Sequence, residues 1–418
     1  MIWEGEEKMS VNRFEQKLME KLTDLETKGT LKGREMIITS IKPPEGDKGP
    51  RYLLQGHGDQ EFIRMNSNAY LGLSRHPALV QAEEDAARLY GTGPGAVRFI
   101  SGTFIPHVQL EKRLAEFHAR EAAMIFSSAY ATIMGVLPAL IDSETAVISD
   151  ALNHNCIINA IRLARPKVKA VYAHLDMSDL EAKIKAAMDQ ARRVLIVTDG
   201  IFSMRGDYAP LDIIGDMAAR YSPKFAEGVH TIVDDSHGVG AFGRTGRGTL
   251  EYTGAAGIDI LVATLGKAFG VNGGYLVASA PVVSYLRETA PFYIYSNPIT
   301  PAEAGAALKA LEILDGPEGE KLLKHLRTLT QLFEQGLVDL GFEVLRSAHP
   351  IVPLMIRDTS KTREMVQYLT ANGILATGLK YPVVPKGDEE IRFQISAEHT
   401  LDDLAYVLRC LEKFHKDK

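Results

Sequence analysis

The sequence predicts an α/β fold, a mainly parallel sheet of about seven strands covered by helices, followed by a smaller α+β C-terminal domain. Three observations lead there. From about residue 120, short apolar runs alternate with longer helical segments, the pattern of βαβ units. Those runs are apolar on both faces, as strands buried between two helical layers must be. After about residue 300 the rhythm changes to two long helical stretches followed by short, separated runs.

Residues 1–60 differ from the rest. A charged helical stretch, Asn12 to Lys28, leads into the Pro/Gly-rich connector Lys42-Pro-Pro-Glu-Gly-Asp-Lys-Gly-Pro50, which reads as an arm and linker. The large α/β domain is placed at 61–300. Its strands are expected at Ala123–Phe126, Thr145–Ser149, Val168–Ala173, Arg193–Thr198, Thr231–Asp234, Ile258–Thr264 and Gly274–Ala278. The small domain, 301–418, is expected to hold helices over Pro301–Leu314 and Glu318–Leu340. Its strands are expected over Phe342–Arg346, Ile351–Ile356, Ile374–Gly378 and Ile391–Ser396.

Composition excludes several classes. With 47 Lys and Arg against 53 Asp and Glu, the net charge of −6 gives no electrostatic reason to expect nucleic acid or an anionic membrane. The uncharged stretch Ala122–Ile141 is long enough to span a bilayer, but its Ser, Thr, Gly and Pro residues read as a buried strand and a helix start. No integral membrane segment is expected. The acidic N-terminus lacks the pattern of a secretion signal, and two cysteines at unrelated positions imply a reducing compartment, the cytoplasm.

In a parallel sheet, ligands bind beyond the carboxyl ends of the strands. Polar residues cluster at those ends: Ser127-Ser128, Asp150, Asp199-Gly200, Asp234-Asp235-Ser236-His237 and Thr264-Leu-Gly-Lys267. A lysine just past a strand, among glycines and a hydroxyl, is either a solvated surface residue or a Schiff-base nucleophile. It is not a phosphate-loop lysine, because no GxxxxGK[ST] spacing exists. An apolar strand delivers Asp234 to its end. A buried carboxylate is costly unless a cation faces it, and a pyridinium nitrogen offsets that cost while making the ring an electron sink. A helix cap or a metal-like Asp/His pair is the bland alternative; no further ligand falls at metal spacing, so no metal is expected. His154 beyond another strand is either a loop residue or a flat face for a planar cofactor. Gly91-Thr-Gly-Pro-Gly95 follows no clear strand and is a poor dinucleotide fingerprint.

Together these pieces resemble the α-oxoamine synthases, pyridoxal-phosphate enzymes of fold type I. The resemblance runs from about Phe62 to Thr400. It is carried by Asn68-Ala-Tyr-Leu-Gly-Leu73, Val97-Arg-Phe-Ile-Ser-Gly-Thr103, Ser149-Asp-Ala-Leu-Asn-His154, Gly200-Ile-Phe-Ser-Met204, Val233-Asp-Asp-Ser-His237, Tyr381-Pro-Val-Val-Pro-Lys-Gly387 and Ile391-Arg-Phe-Gln-Ile-Ser-Ala397. Three of these stretches look most like the 2-amino-3-ketobutyrate CoA ligases; the glycine loop after Lys267 is similar to the 8-amino-7-oxononanoate synthases.

The resemblance implies pyridoxal 5'-phosphate as cofactor and a Claisen-type condensation of an amino acid, with glycine favoured, and an acyl-CoA. The product is an α-amino ketone or 2-amino-3-oxo acid plus CoA. It implies that Lys267 holds the cofactor and moves the Cα proton. Asp234 pairs with the ring nitrogen, His237 approaches the ring oxygen and His154 stacks on the ring. Ala129, Tyr130 and Thr264 meet the phosphate, with Ser296 reaching the phosphate of a neighbouring subunit in a homodimer. Asn68, Ser203 and Arg392 surround the amino-acid carboxylate. Departures fall at Ile133, where the family carries Asn, at Arg205, where it carries Asp, and at Glu398. They bear on substrate more than on cofactor. Competing readings are an alanine- or serine-using synthase with a longer acyl-CoA, a transaminase, and a non-catalytic partner subunit.

Overall fold

The structure is a computed structural model that describes residues 3–28, 30–31, 33, 35–381 and 384–416. Pro382 and Val383 of the Tyr381–Gly387 stretch lie outside the described residues.

A helix, Trp3–Thr27, comes first. Strands β1 (Ile38–Lys42) and β2 (Arg51–Leu54) then pair antiparallel, and β3 (Ile63–Arg64) follows. The connector read as a linker is therefore the turn of a hairpin. Its end is tied to the C-terminal helix Leu401–Lys416, where Asp403 accepts from Gly49 N at 3.1 Å and pairs with Arg51 at 2.5 Å.

The central sheet comprises β4 (Ala122–Phe126), β5 (Thr145–Asp150), β6 (Val168–Tyr172), β7 (Arg193–Asp199), β8 (Val229–Asp234), β9 (Ile260–Thr264) and β10 (Gly274–Ala278). Its order is β4-β10-β9-β8-β7-β5-β6. Six strands, β4 to β9, run in one direction, while β10 lies antiparallel between β4 and β9. Alternate side chains enter separate cores. Ile148 and Ile196 pack in one layer and Val147, Leu195 and Val197 in the other, so both faces are covered as the apolar runs required. Ala122–Ile141 resolves into β4 and the helix Ala129–Leu140; among the described residues no helix is long and apolar enough to cross a membrane.

Helices Pro301–Leu314 and Pro317–Asp339 lead to β11 (Ile351–Met355), β12 (Ile374–Leu375), β13 (Thr377–Leu379) and β14 (Glu390–Gln394). Two strand expectations need correction. Phe342–Arg346 is not a strand: it makes only the isolated bridge Val344–Leu354, directly after the left-handed turn at Gly341. Ile374–Gly378 is not one strand but two, because β12 pairs with β3 while β13 pairs with β14 in another sheet. The apolar run supplied both, and only the partners divide it.

Candidate active site

The carboxyl ends of β4, β5, β7, β8 and β9 surround a cavity of about 240 Å³. Eight of the residues expected at the site line it: Ala129, Tyr130, His154, Ser203, Asp234, His237, Thr264 and Lys267. Each arrives by a short loop from a buried strand.

After β4, Ser128 caps the helix Ala129–Leu140, its Oγ accepting from Ala131 N at 3.0 Å. The amides of Ala129 and Tyr130 belong to the first turn, where no intrahelical acceptor exists. β10 comes close behind them: a Cβ on Gly274 would sit 2.2 Å from Ala129 N, so only glycine lets the strand reach this turn. Ile133 points away from the cavity into the core and is fully buried. The Thr264 hydroxyl donates to Gly273 O at 3.1 Å and accepts from Gly266 N at 3.0 Å, so it must rotate to donate into the cavity.

After β5, Asn153 pins the loop to β7. Its amide donates to Val197 O at 2.7 Å and its Oδ1 accepts from Asp199 N at 2.8 Å. This sets His154, which caps the helix Asn155–Ala164 and meets the Tyr130 ring edge-on at 6.4 Å. Burial, with Lys267 adding and Asp234 opposing, holds the His154 imidazole below its ordinary pKa.

The two aspartates ending β8 diverge. Asp234 lines the cavity, with Oδ1 accepting from Ser236 N at 3.1 Å and Oδ2 lying 3.7 Å from the Cys156 thiol. Asp235 turns away and accepts from both Thr249 N and Thr249 Oγ1 at 2.6 Å. It is packed so tightly that a Cβ on Gly238 or Gly248 would collide with it at 2.1 and 2.0 Å. His237 is fixed by Tyr70, whose hydroxyl lies 2.7 Å from Nδ1 and 3.3 Å from Asn68 Oδ1. Tyr70 Oη thus bridges His237 Nδ1 and Asn68 Oδ1. Burial, then the nearby Lys267 and His349, push His237 well below the usual imidazole range, so it is neutral.

Burial pushes the Lys267 ammonium down to about 8, against the pull of Asp234 and Asp199. A partly neutral amine at neutral pH is a nucleophile. Arg392, on β14, does not line the cavity itself; its Nη1 donates to the Ser203 carbonyl and its buried Nε has no partner. Asn68 likewise stands one bond away, holding Tyr70 and Gln394. Ser296 is not part of this chain's own cavity. Arg205 pairs with Asp207 at 2.9 Å, and Glu398 pairs with Arg75 and packs over Gly72.

Three further residues had been given no role by the sequence. Asp199 and Cys156 line the cavity and Tyr70 supports His237. Asp199 had a signal, since it closes a strand end; Cys156 and Tyr70 had none beyond proximity in sequence to His154 and Asn68.

The family model described as "Aminotransferase class I and II" matches residues 60–411. Among curated relatives, the 8-amino-7-oxononanoate synthase of Thermosipho melanesiensis is 39% identical over 381 residues, covering 91% of this chain and 94% of that one. The human mitochondrial 2-amino-3-ketobutyrate coenzyme A ligase is 41% identical over 388 residues, covering 92% and 88%. Among solved structures, the serine palmitoyltransferase of Sphingomonas wittichii superposes with a TM-score of 0.86 at 25% identity, covering 97% and 98%. Sequence, fold and the constellation at the strand ends thus agree, and the chain belongs to the α-oxoamine synthases, pyridoxal-phosphate enzymes of fold type I.

Proposed function

We propose that the chain condenses a small amino acid, glycine in the favoured reading, with an acyl-CoA thioester and releases free CoA. The observation that carries this reading is one cavity lined by a partly neutral lysine, a buried carboxylate and a helix amino-terminus. Those groups fit pyridoxal phosphate. Ala129 and Tyr130 present free amides for a phosphate, and Asp234 presents a carboxylate for a protonated ring nitrogen. Lys267 meets the aldehyde carbon and His154 offers a ring face. Bound there, the cofactor supplies an electron sink for the pair left when Cα loses its proton.

The side chains do the rest. Neutral His237, held at Nδ1 by Tyr70, would meet the ring oxygen. Arg392, whose Nε lacks any partner, is held by the Ser203 carbonyl where a substrate carboxylate can meet its planar fork, with Asn68 beside it. Lys267, with its amine free, would take the Cα proton and return one to the product. Similarity to 2-amino-3-ketobutyrate ligases and 8-amino-7-oxononanoate synthases at near-equal identity keeps an alanine-using synthase with a longer acyl-CoA as the second reading.

The site is proposed to be completed in a homodimer. Ser296 lies off its own cavity beside Tyr295, which is 79% exposed, and Phe99 and Ile100 are also exposed apolar groups. Both cysteines are free, which supports a reducing, cytoplasmic location.

Thiol release across a panel of amino acids and acyl-CoAs tests the function. Glycine or alanine with an acyl-CoA is expected to release CoA; amino-group exchange with a keto acid and no CoA would refute it. Lys267→Ala is expected to abolish turnover and the adduct trapped by borohydride. A retained adduct would remove Lys267 from its role.

A further inference from the structure

The cavity holds one more carboxyl group than the proposed chemistry uses. Asp199 ends β7 and Asp234 ends β8, and the two are direct partners in the parallel pairing. Both line the cavity, and both are buried, Asp199 at 4% exposure. Side chains at paired positions of neighbouring strands are close, and two like charges so placed, out of water, cannot both persist.

Hydrogen bonding decides which one is charged. Asp234 has a donor beside each oxygen, Ser236 N on Oδ1 and the Cys156 thiol near Oδ2. Asp199 has one: His154 N reaches Oδ2 at 3.1 Å, and buried Oδ1 has no partner. A bare anionic oxygen in a buried site is the costly arrangement, and a proton on Oδ1 removes that cost. The other ionisable groups around Asp199 are Lys267, Cys156, Asp150 and Tyr172. Of these, only Lys267 favours the charged form.

We propose that Asp199 is the protonated member of a carboxyl pair, which leaves Asp234 as the single anion facing the ring. The inference rests on the pyridoxal-phosphate site described above. Burial first, then Asp234, hold the Asp199 carboxyl well above the usual carboxylate range, in agreement with the geometry. The arrangement sets one negative charge against the one lysine in the cavity.

Asp199→Asn keeps the shape of the side chain and removes the titratable group. Difference infrared spectra of cofactor-free wild type against Asp199→Asn at neutral pH are expected to show loss of a protonated-carboxyl carbonyl band. Loss of carboxylate bands instead would overturn the proposal. With pyridoxal phosphate bound, the pH midpoint of its visible absorbance is expected to stay within about 0.3 unit in Asp199→Asn. Removal of a real negative charge would lower it by about 1 unit or more and would also overturn the proposal. A wild type that binds no pyridoxal phosphate would sink the cofactor reading alone, because the infrared comparison is made without cofactor.

Discussion

At the scale of single residues, the same side chain has opposite fates one position apart. Asp234 and Asp235 are adjacent in sequence, yet alternation along an extended chain sends one into the cavity and one into a cradle of glycines and Thr249. Asp234→Asn is expected to keep cofactor binding but lower turnover by roughly 100-fold, because a preorganised charge opposite the developing charge is lost. Cα–H exchange by NMR checks this, and undiminished exchange would exclude Asp234 from the chemistry. Lys267, His154, Asp234 and His237 were legible because each stands just past an apolar run. Asp199 was visible as a strand end without a role, since its importance comes from lying opposite Asp234 on the next strand. Tyr70 was silent because its partner His237 is remote in sequence.

At the scale of elements, the site is made by strands stopping at one level. All seven strands of the sheet were foreseen within a few residues, because buried strands carry unbroken apolar runs. The antiparallel direction of β10 was not, since direction leaves no trace in composition. Gly274 shows what that strand contributes: its backbone presses on the helix turn at Ala129. Gly274→Ala is expected to destabilise the fold by about 1–3 kcal/mol, seen as a lower Tm, and to weaken phosphate binding; an unchanged Tm would contradict the close approach. A second brace joins β5, β6 and the loop after β7. His174 bonds to Asp150 at 2.9 Å and to Asp207 at 3.2 Å. Burial acts to lower its pKa, but the two carboxylates outweigh burial and raise it to about 9. A raised pKa stabilises the fold fully below the ordinary value near 6.5, and that stabilisation fades as pH climbs through 9. Urea unfolding is therefore expected to show wild type losing up to roughly 3 kcal/mol between pH 6 and 10 that His174→Gln does not lose. Parallel pH profiles in the two proteins would refute the brace.

At the scale of the molecule, the active site joins parts far apart in the chain. Arg392 from β14 docks on the Ser203 carbonyl, and Asn68 meets Gln394, so the proposed amino-acid end of the site would depend on C-terminal strands seated against the large sheet. The proposed dimer extends the same logic between subunits. Ser296→Ala is expected to loosen pyridoxal phosphate roughly tenfold although Ser296 lies outside its own cavity. Unchanged affinity, or a fully active monomer in sedimentation, would refute the shared site. The sequence by itself determined the layered α/β sheet, its strand positions and the chemical identity of the residues at the strand ends. Burial and backbone periodicity act locally and leave their mark in residue order. Only the tertiary structure decided which of two neighbouring aspartates faces the cavity, that an apolar run splits between two sheets, and that a second carboxyl group stands beside Asp234. Those outcomes depend on which strand lies next to which, and a pairing between distant segments is fixed by packing in three dimensions.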